Sequence, residues 1–132
     1  MANILYPKGK EAFLGGDLDW DAQTFKVVLL TSAYTYDAAH DNLDDIGGGA
    51  RVATSSALAN KTKTNGAADA DDVVFTTPAS GSTVTQFAIF KDSGTESTST
   101  LVALFDTVTG LPLLTNGGNI NLVWNASGIF SL

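Results

Sequence analysis

Apolar and polar positions follow the two-residue period of β-strands along most of this chain, and clusters of Gly, Asn, Asp, Ser and Pro break that period into short segments. The strongest signal lies between Val84 and Asp106. There, Val-Thr-Gln-Phe-Ala-Ile-Phe-Lys-Asp and Leu-Val-Ala-Leu-Phe-Asp flank a polar stretch holding Gly94, a pattern that predicts two neighbouring strands and a solvated loop. Under strict alternation Phe87 and Ile89 oppose Ala88 and Phe90, while Leu101, Ala103 and Phe105 oppose Val102 and Leu104. Both faces are apolar, so these strands belong at the centre of a sheet and need cover on each side. Thr24 to Thr31 has the same character, interrupted only by Lys26. The predicted core is Val27, Leu29, Phe87, Ile89, Phe90, Leu101, Leu104 and Trp124.

Around this centre the pattern predicts weaker elements. Arg51 to Thr54 and Leu58 to Thr64 read as polar strands, the second an edge with Lys61 and Lys63 on one side. Asn65-Gly66 reads as a hairpin turn. Val73 to Thr76, Ile120 to Trp124 and Ile129 to Leu132 complete seven or eight strands, with Ile120, Leu122 and Trp124 facing inward. Turns fall at Thr109 to Pro112 and Asn116 to Asn119. Pro7 suits the first position of a two-turn helix through Leu14, ended by Gly15 in a left-handed conformation. Asp37 to Asp45 reads as a second short helix with Asp37 as N-cap. The fold class is all-β with one or two short helices: an antiparallel β-sandwich or its jelly-roll variant, forming a single domain over residues 1–132. Residues 1–6 read as an extended N-terminal arm.

Composition narrows the function. With 132 residues the chain is long enough to bury about two-thirds of its unfolded surface. It has no Cys, which excludes disulfides and thiolate metal sites. Twelve Asp and two Glu against six Lys and one Arg give a net charge of -7, which repels phosphate and argues against nucleic acid or an anionic membrane as partner. Nothing in the N-terminal stretch reads as a secretion signal, and no run approaches membrane-spanning length. Charged residues make up only 16% of the chain, leaving a polar surface that is cheaply buried against other protein.

Candidate chemistry is sparse. Asp17, Asp19 and Asp21, and again Asp69, Asp71 and Asp72, lack the turn Gly and distal Glu of a calcium loop and read as solvated edges and turns. His40 with Asp41, Asp44 and Asp45 meets the minimum for a metal site or acid/base pair on one helix face. With no second His and no nucleophile motif, the wet face of an exposed helix is the better reading. The expectation is no catalytic residue, no metal and no cofactor.

The opening Met-Ala-Asn-Ile-Leu-Tyr-Pro-Lys-Gly-Lys-Glu-Ala-Phe-Leu, Tyr34-Thr-Tyr-Asp-Ala-Ala-His-Asp, Leu43-Asp-Asp-Ile, Ala67 to Phe75, Ile89-Phe-Lys-Asp-Ser-Gly-Thr, Thr109-Gly-Leu-Pro and Asn116-Gly-Gly together resemble small virion structural proteins of tailed bacteriophages, a family associated with head decoration or cement roles. The resemblance runs nearly end to end and carries no catalytic residues. It implies a non-enzymatic protein made in the host cytoplasm that binds the outer capsid surface and stabilises the shell. The partner would be the major capsid protein, and the implied state is a homo-oligomer, a trimer at three-fold lattice positions. The doubly apolar strands and the weakly charged surface also argue for an interface. Ala2, Asn3, Ile4, Leu5 and Tyr6 are the expected arm, adding backbone hydrogen bonds to a neighbour. The alternative is a tail, fibre or carbohydrate-binding module in which Trp20, Tyr34 and Tyr36 stack on sugar rings; a hydrolase built on His40 is a third class.

Overall fold

A computed structural model describes residues 3–108 and 110–131. Ala2 of the expected arm, Thr109 of the predicted turn and Leu132 of the last strand lie outside the described residues. The strands are β1 (Ile4–Leu5), β2 (Phe25–Leu30), β3 (Arg51–Thr54), β4 (Ala67–Ala68), β5 (Val73–Phe75), β6 (Thr83–Val84), β7 (Gln86–Lys91), β8 (Leu101–Phe105), β9 (Leu113–Leu114), β10 (Ile120–Leu122) and β11 (Phe130–Ser131), with one α-helix, α1 (Pro7–Leu14). The protein is all-β with one short helix. A five-stranded antiparallel sheet in the order β1-β8-β7-β2-β3 forms its centre. Every residue of β2 pairs with β7, from Phe25 opposite Lys91 to Leu30 opposite Gln86.

Both faces of this sheet are dry, as the apolar runs predict. One face sets Val27, Leu29, Phe87, Ile89, Val102 and Phe105 against Trp20, Leu58, Val73, Phe75, Val84 and Ile129. The facing layer is made of three separate two-stranded ribbons, β5-β10, β4-β11 and β6-β9, which gives a sandwich-like architecture. The other face sets Val28, Leu30, Ala88, Phe90, Leu101 and Leu104 against Tyr6, Tyr34, Leu43, Ile46 and Ala50. That cover is neither a helix nor a partner. It is the chain's own segment 31–50, irregular apart from the short 3-10 turns Leu43–Asp45 and Gly48–Ala50. The inference of an interface from doubly apolar strands therefore falls away, because the protein supplies the second cover itself.

The predicted helix from Asp37 to Asp45 does not form. Asp37 Oδ1 accepts the Ala39 N–H at 2.8 Å and its carbonyl accepts the His40 N–H at 3.0 Å, which closes a turn that goes no further. Leu43 N–H then bonds Ser99 O and Leu101 N–H bonds Asp41 O, so the segment's backbone groups are spent on the start of β8 and the residues just before it. Leu58 to Thr64 is likewise not a strand and makes only the single bridge Thr62 to Asp69. Lys61, expected in water, folds inward, its ammonium 5.9 Å from the Trp20 ring centre and 5.1 Å from that of Phe25. The turn after it is the expected one, with Asn65 at φ 55° and Gly66 at φ 80°.

Strict alternation fails in one strand. Ile89 pairs with Ala103 but Phe90 pairs with Leu101, so β8 carries one extra residue, a β-bulge at Val102. The bulge sends Leu101 to the same face as Leu104, opposite to its predicted side. It also receives the helix. Tyr6 N–H bonds Val102 O at 2.9 Å, and Gly9 lies so close that a Cβ built on it would fall 2.6 Å from Leu101 O. The helix ends differently from its prediction, too: Gly15 is right-handed at φ -81°, and Gly16, at φ 80°, takes the left-handed position. Trp124, assigned to the core, is only half-buried and packs its edge on Phe87 at 5.8 Å from the rim.

Gly9→Ala is expected to lower stability by about 1–3 kcal/mol, because the new methyl forces backbone from backbone. Phe87→Ala is expected to cost about 3–5 kcal/mol. Urea unfolding measures both, and a neutral Gly9→Ala would contradict the helix–bulge contact.

Candidate interaction surface

The expected arm is placed first. Residues Ile4 and Leu5 pair with Leu104 and Ala103 of β8, so the strand addition proposed for a neighbour is made on the protein's own sheet edge. Asn3 secures it: its Oδ1 accepts the Asp106 and Thr107 N–H groups, each at 2.9 Å, and its Nδ2 donates to Thr107 O at 3.2 Å. Tyr6 is fully buried. In this fold Asn3, Ile4, Leu5 and Tyr6 are therefore a clasp between the first and eighth strands.

The residues singled out for chemistry are dispersed. His40 turns inward, its Nδ1 2.8 Å from the Tyr34 hydroxyl, which in turn lies 2.7 Å from the Tyr6 hydroxyl. Asp45 is spent on main chain, accepting the Asp41 and Asn42 N–H groups at 2.8 and 3.3 Å. Among the described residues no three His, Asp or Glu side chains gather as a metal site would require. Of the aromatics expected to stack on sugars, Trp20 and Tyr34 are only 6% exposed, and Tyr36 is half-buried with its ring centre 5.4 Å from that of Tyr6.

The abundance of aspartate has a structural explanation. Asp19 accepts the Asp21 and Ala22 N–H groups, Asp37 that of Ala39, Asp45 those of Asp41 and Asn42, Asp72 that of Trp124 and Asp92 that of Gly94. Most of these close rings within a turn, and the shorter carboxylate of Asp fits them where Glu would overshoot. Twelve Asp against two Glu is what a loop-rich chain capped in this way needs. The two Asp clusters, read from the sequence as solvated edges and turns in preference to calcium loops, are split between such tasks, with Asp71 accepting from Asn60 and Asp21 paired with Lys63.

One arginine holds the cover of the second face in place. Arg51 donates to Ile46 O and Leu43 O and forms a forked pair with the Glu96 carboxylate at 2.8 and 2.9 Å. That pair holds the Glu96 carboxyl below its usual range, as the Lys26 ammonium does for Asp92 and the Asp41 N–H does for Asp45. Burial pushes the Tyr6 and Tyr34 phenols in the other direction, above their ordinary 10.0.

The feature most suited to a partner lies elsewhere, at the open end of the ribbon layer. Two adjoining clefts of about 360 and 320 Å³ share Phe87, Val108, Leu122 and Val123; Leu113 borders the first and Trp124 the second. Among the described residues no charged side chain lines either. Beside them Leu114 is 64% and Val123 68% exposed, an unusual expense of apolar surface in a chain of this charge. Sequence reasoning left Leu113 and Leu114 unassigned. The available signal was the apolar run Leu111-Pro-Leu-Leu114 beside a turn, in a stretch with no second run to bury it. No protein-family model matches the chain, and no curated protein matches it. No helix among the described residues is long and apolar enough to cross a membrane.

Tyr34→Phe is expected to cost about 1–3 kcal/mol, because it strands the buried Tyr6 hydroxyl without its partner. The carboxyls of Asp45, Asp92 and Glu96 bind protons less readily folded than unfolded, so their stabilisation is present above the ordinary carboxylate range and lost as pH falls through it and below. The two phenols hold protons more tightly when folded, so their share is intact below pH 10.0 and lost as pH rises past it. Denaturation midpoints across pH should form a plateau with an acid and an alkaline fall, the alkaline one shallower in Tyr34→Phe.

Proposed function

We propose that this chain is a non-enzymatic virion structural protein of a tailed phage, a decoration protein that adds contacts to an assembled capsid and shifts it away from disassembly. The observation that carries the reading is the pair of adjoining clefts without a charged side chain, the one bordered by Leu113 mainly apolar, with Leu114 and Val123 exposed beside them, on a chain of net charge -7. A protein that docks many times on a lattice needs a small, dry contact whose gain multiplies over the shell. The acidic remainder of the surface keeps free copies apart. The motif resemblance supports the capsid as partner and a trimer as the docked state. The capsid protein is taken to meet the cleft, with β1 left in its own sheet.

Leu114→Asp and Val123→Asp alter exposed side chains and are expected to leave the urea midpoint within about 0.5 kcal/mol of wild type. Each should abolish cosedimentation with capsids of the phage whose genome encodes the chain. Binding that survives both substitutions would remove the cleft from the reading. A wild-type protein that is strictly monomeric in native mass spectrometry and also fails to bind capsids would overturn the decoration role itself.

A further inference from the structure

The geometry points to Asn116 as a self-modifying site, at which the side-chain amide is lost through attack by the following backbone nitrogen. The chain has eight Asn, and only Asn65 and Asn116 precede Gly, so only there is the attacking nitrogen free of a neighbouring Cβ. The fold treats these two differently. Asn116 is exposed, and its Oδ1 accepts the Gly118 N–H at 2.9 Å. That bond folds the side chain back over the Gly117 peptide. It also places a donor on the oxygen that gains charge when Cγ is attacked, the role an oxyanion hole plays in acyl transfer. The Gly117 N–H has no acceptor among the described residues, so the nucleophile is unencumbered. At Asn65 the nucleophile is engaged: Gly66 N–H donates to Lys63 O at 3.1 Å. Asn125 makes the same side-chain turn, to Ser127 N–H at 2.8 Å, but is followed by Ala126.

The step balances with water alone. Gly117 N gives its proton to solvent and bonds to Asn116 Cγ; the Cγ–Nδ2 bond then breaks and ammonia leaves, taking up a proton from water. The five-membered imide opens by hydrolysis at either carbonyl, leaving aspartate or isoaspartate at position 116. Either product adds a negative charge between β9 and β10, and the isoaspartate also lengthens the backbone there by one methylene. Leu113 and Leu122 of these two strands line the uncharged cleft. The chemistry itself stands whether or not that cleft binds a capsid.

Peptide mapping by mass spectrometry, with isoaspartyl methyltransferase labelling, follows the native protein through incubation at mildly alkaline pH. Position 116 is expected to convert first, about tenfold or more ahead of 65 and 125. In guanidinium, where the turn geometry is gone, positions 65 and 116 are expected to convert at similar rates. Conversion of Asn65 at or above the rate of Asn116 in the native protein would overturn the proposal. So would a lead for Asn116 that persists undiminished in guanidinium, which would trace it to local sequence in place of fold.

Discussion

The pairing of β2, β7 and β8 sets the terms for the rest of the structure. Three adjacent strands apolar on both sides leave no face that water can occupy, and a sheet of this kind is stable only between two covers. The ribbons supply one and the segment 31–50 the other. These covers differ in kind. The ribbons bury alternate residues of short strands, Val73 and Phe75 for example, whereas the second cover is irregular backbone pinned by side chains: Tyr34 to Tyr6, Gln86 to the Tyr34 and Thr31 carbonyls, and Arg51 to those of Leu43 and Ile46. Buried irregular backbone is tolerable when its polar groups are met in this way.

This division explains what the sequence made legible. Continuous β-branched and aromatic runs dictate their own state, so β2, β7 and β8 and the burial of Val27, Leu29, Phe87 and Ile89 follow from pattern alone. The bulge at Val102 does not, since an extra residue in one strand is visible only against its partner, and it reversed the side taken by Leu101. The segment from Asp37 to Asp45 had helical spacing and a good cap but too few turns to hold by itself, and hydrogen bonds to residues 99 and 101 outweighed it. Lys61 misled because a lysine stem is apolar even when its tip is not.

The candidate site was less legible for a related reason. Charged and imidazole groups attract notice in a sequence, yet here Asp19, Asp37, Asp45, Asp72 and Asp92 bond main-chain N–H groups, and His40 completes a hydrogen-bonded chain inside the cover. The surface that stands out in three dimensions is marked by absence of charge, assembled from Phe87, Val108, Leu113, Leu122 and Val123 across four separate stretches. No spacing rule gathers such residues beforehand. Only the order of strands does.

The clasp at β1 has a consequence for the timing of synthesis. Ile4 pairs with Leu104, so the first strand of this sheet to be made must wait for the last. At about 5–20 residues per second the hundred intervening residues take about 5–20 s to appear. Throughout that interval Tyr6, Ile4 and Leu5 have no place to go, and the bulge that receives the helix does not yet exist. The sheet can nucleate on β7 and β8, neighbours in sequence, and must then capture a strand across a long closed loop, which makes the N-terminal segment a late arrival in a fold whose second core depends on it.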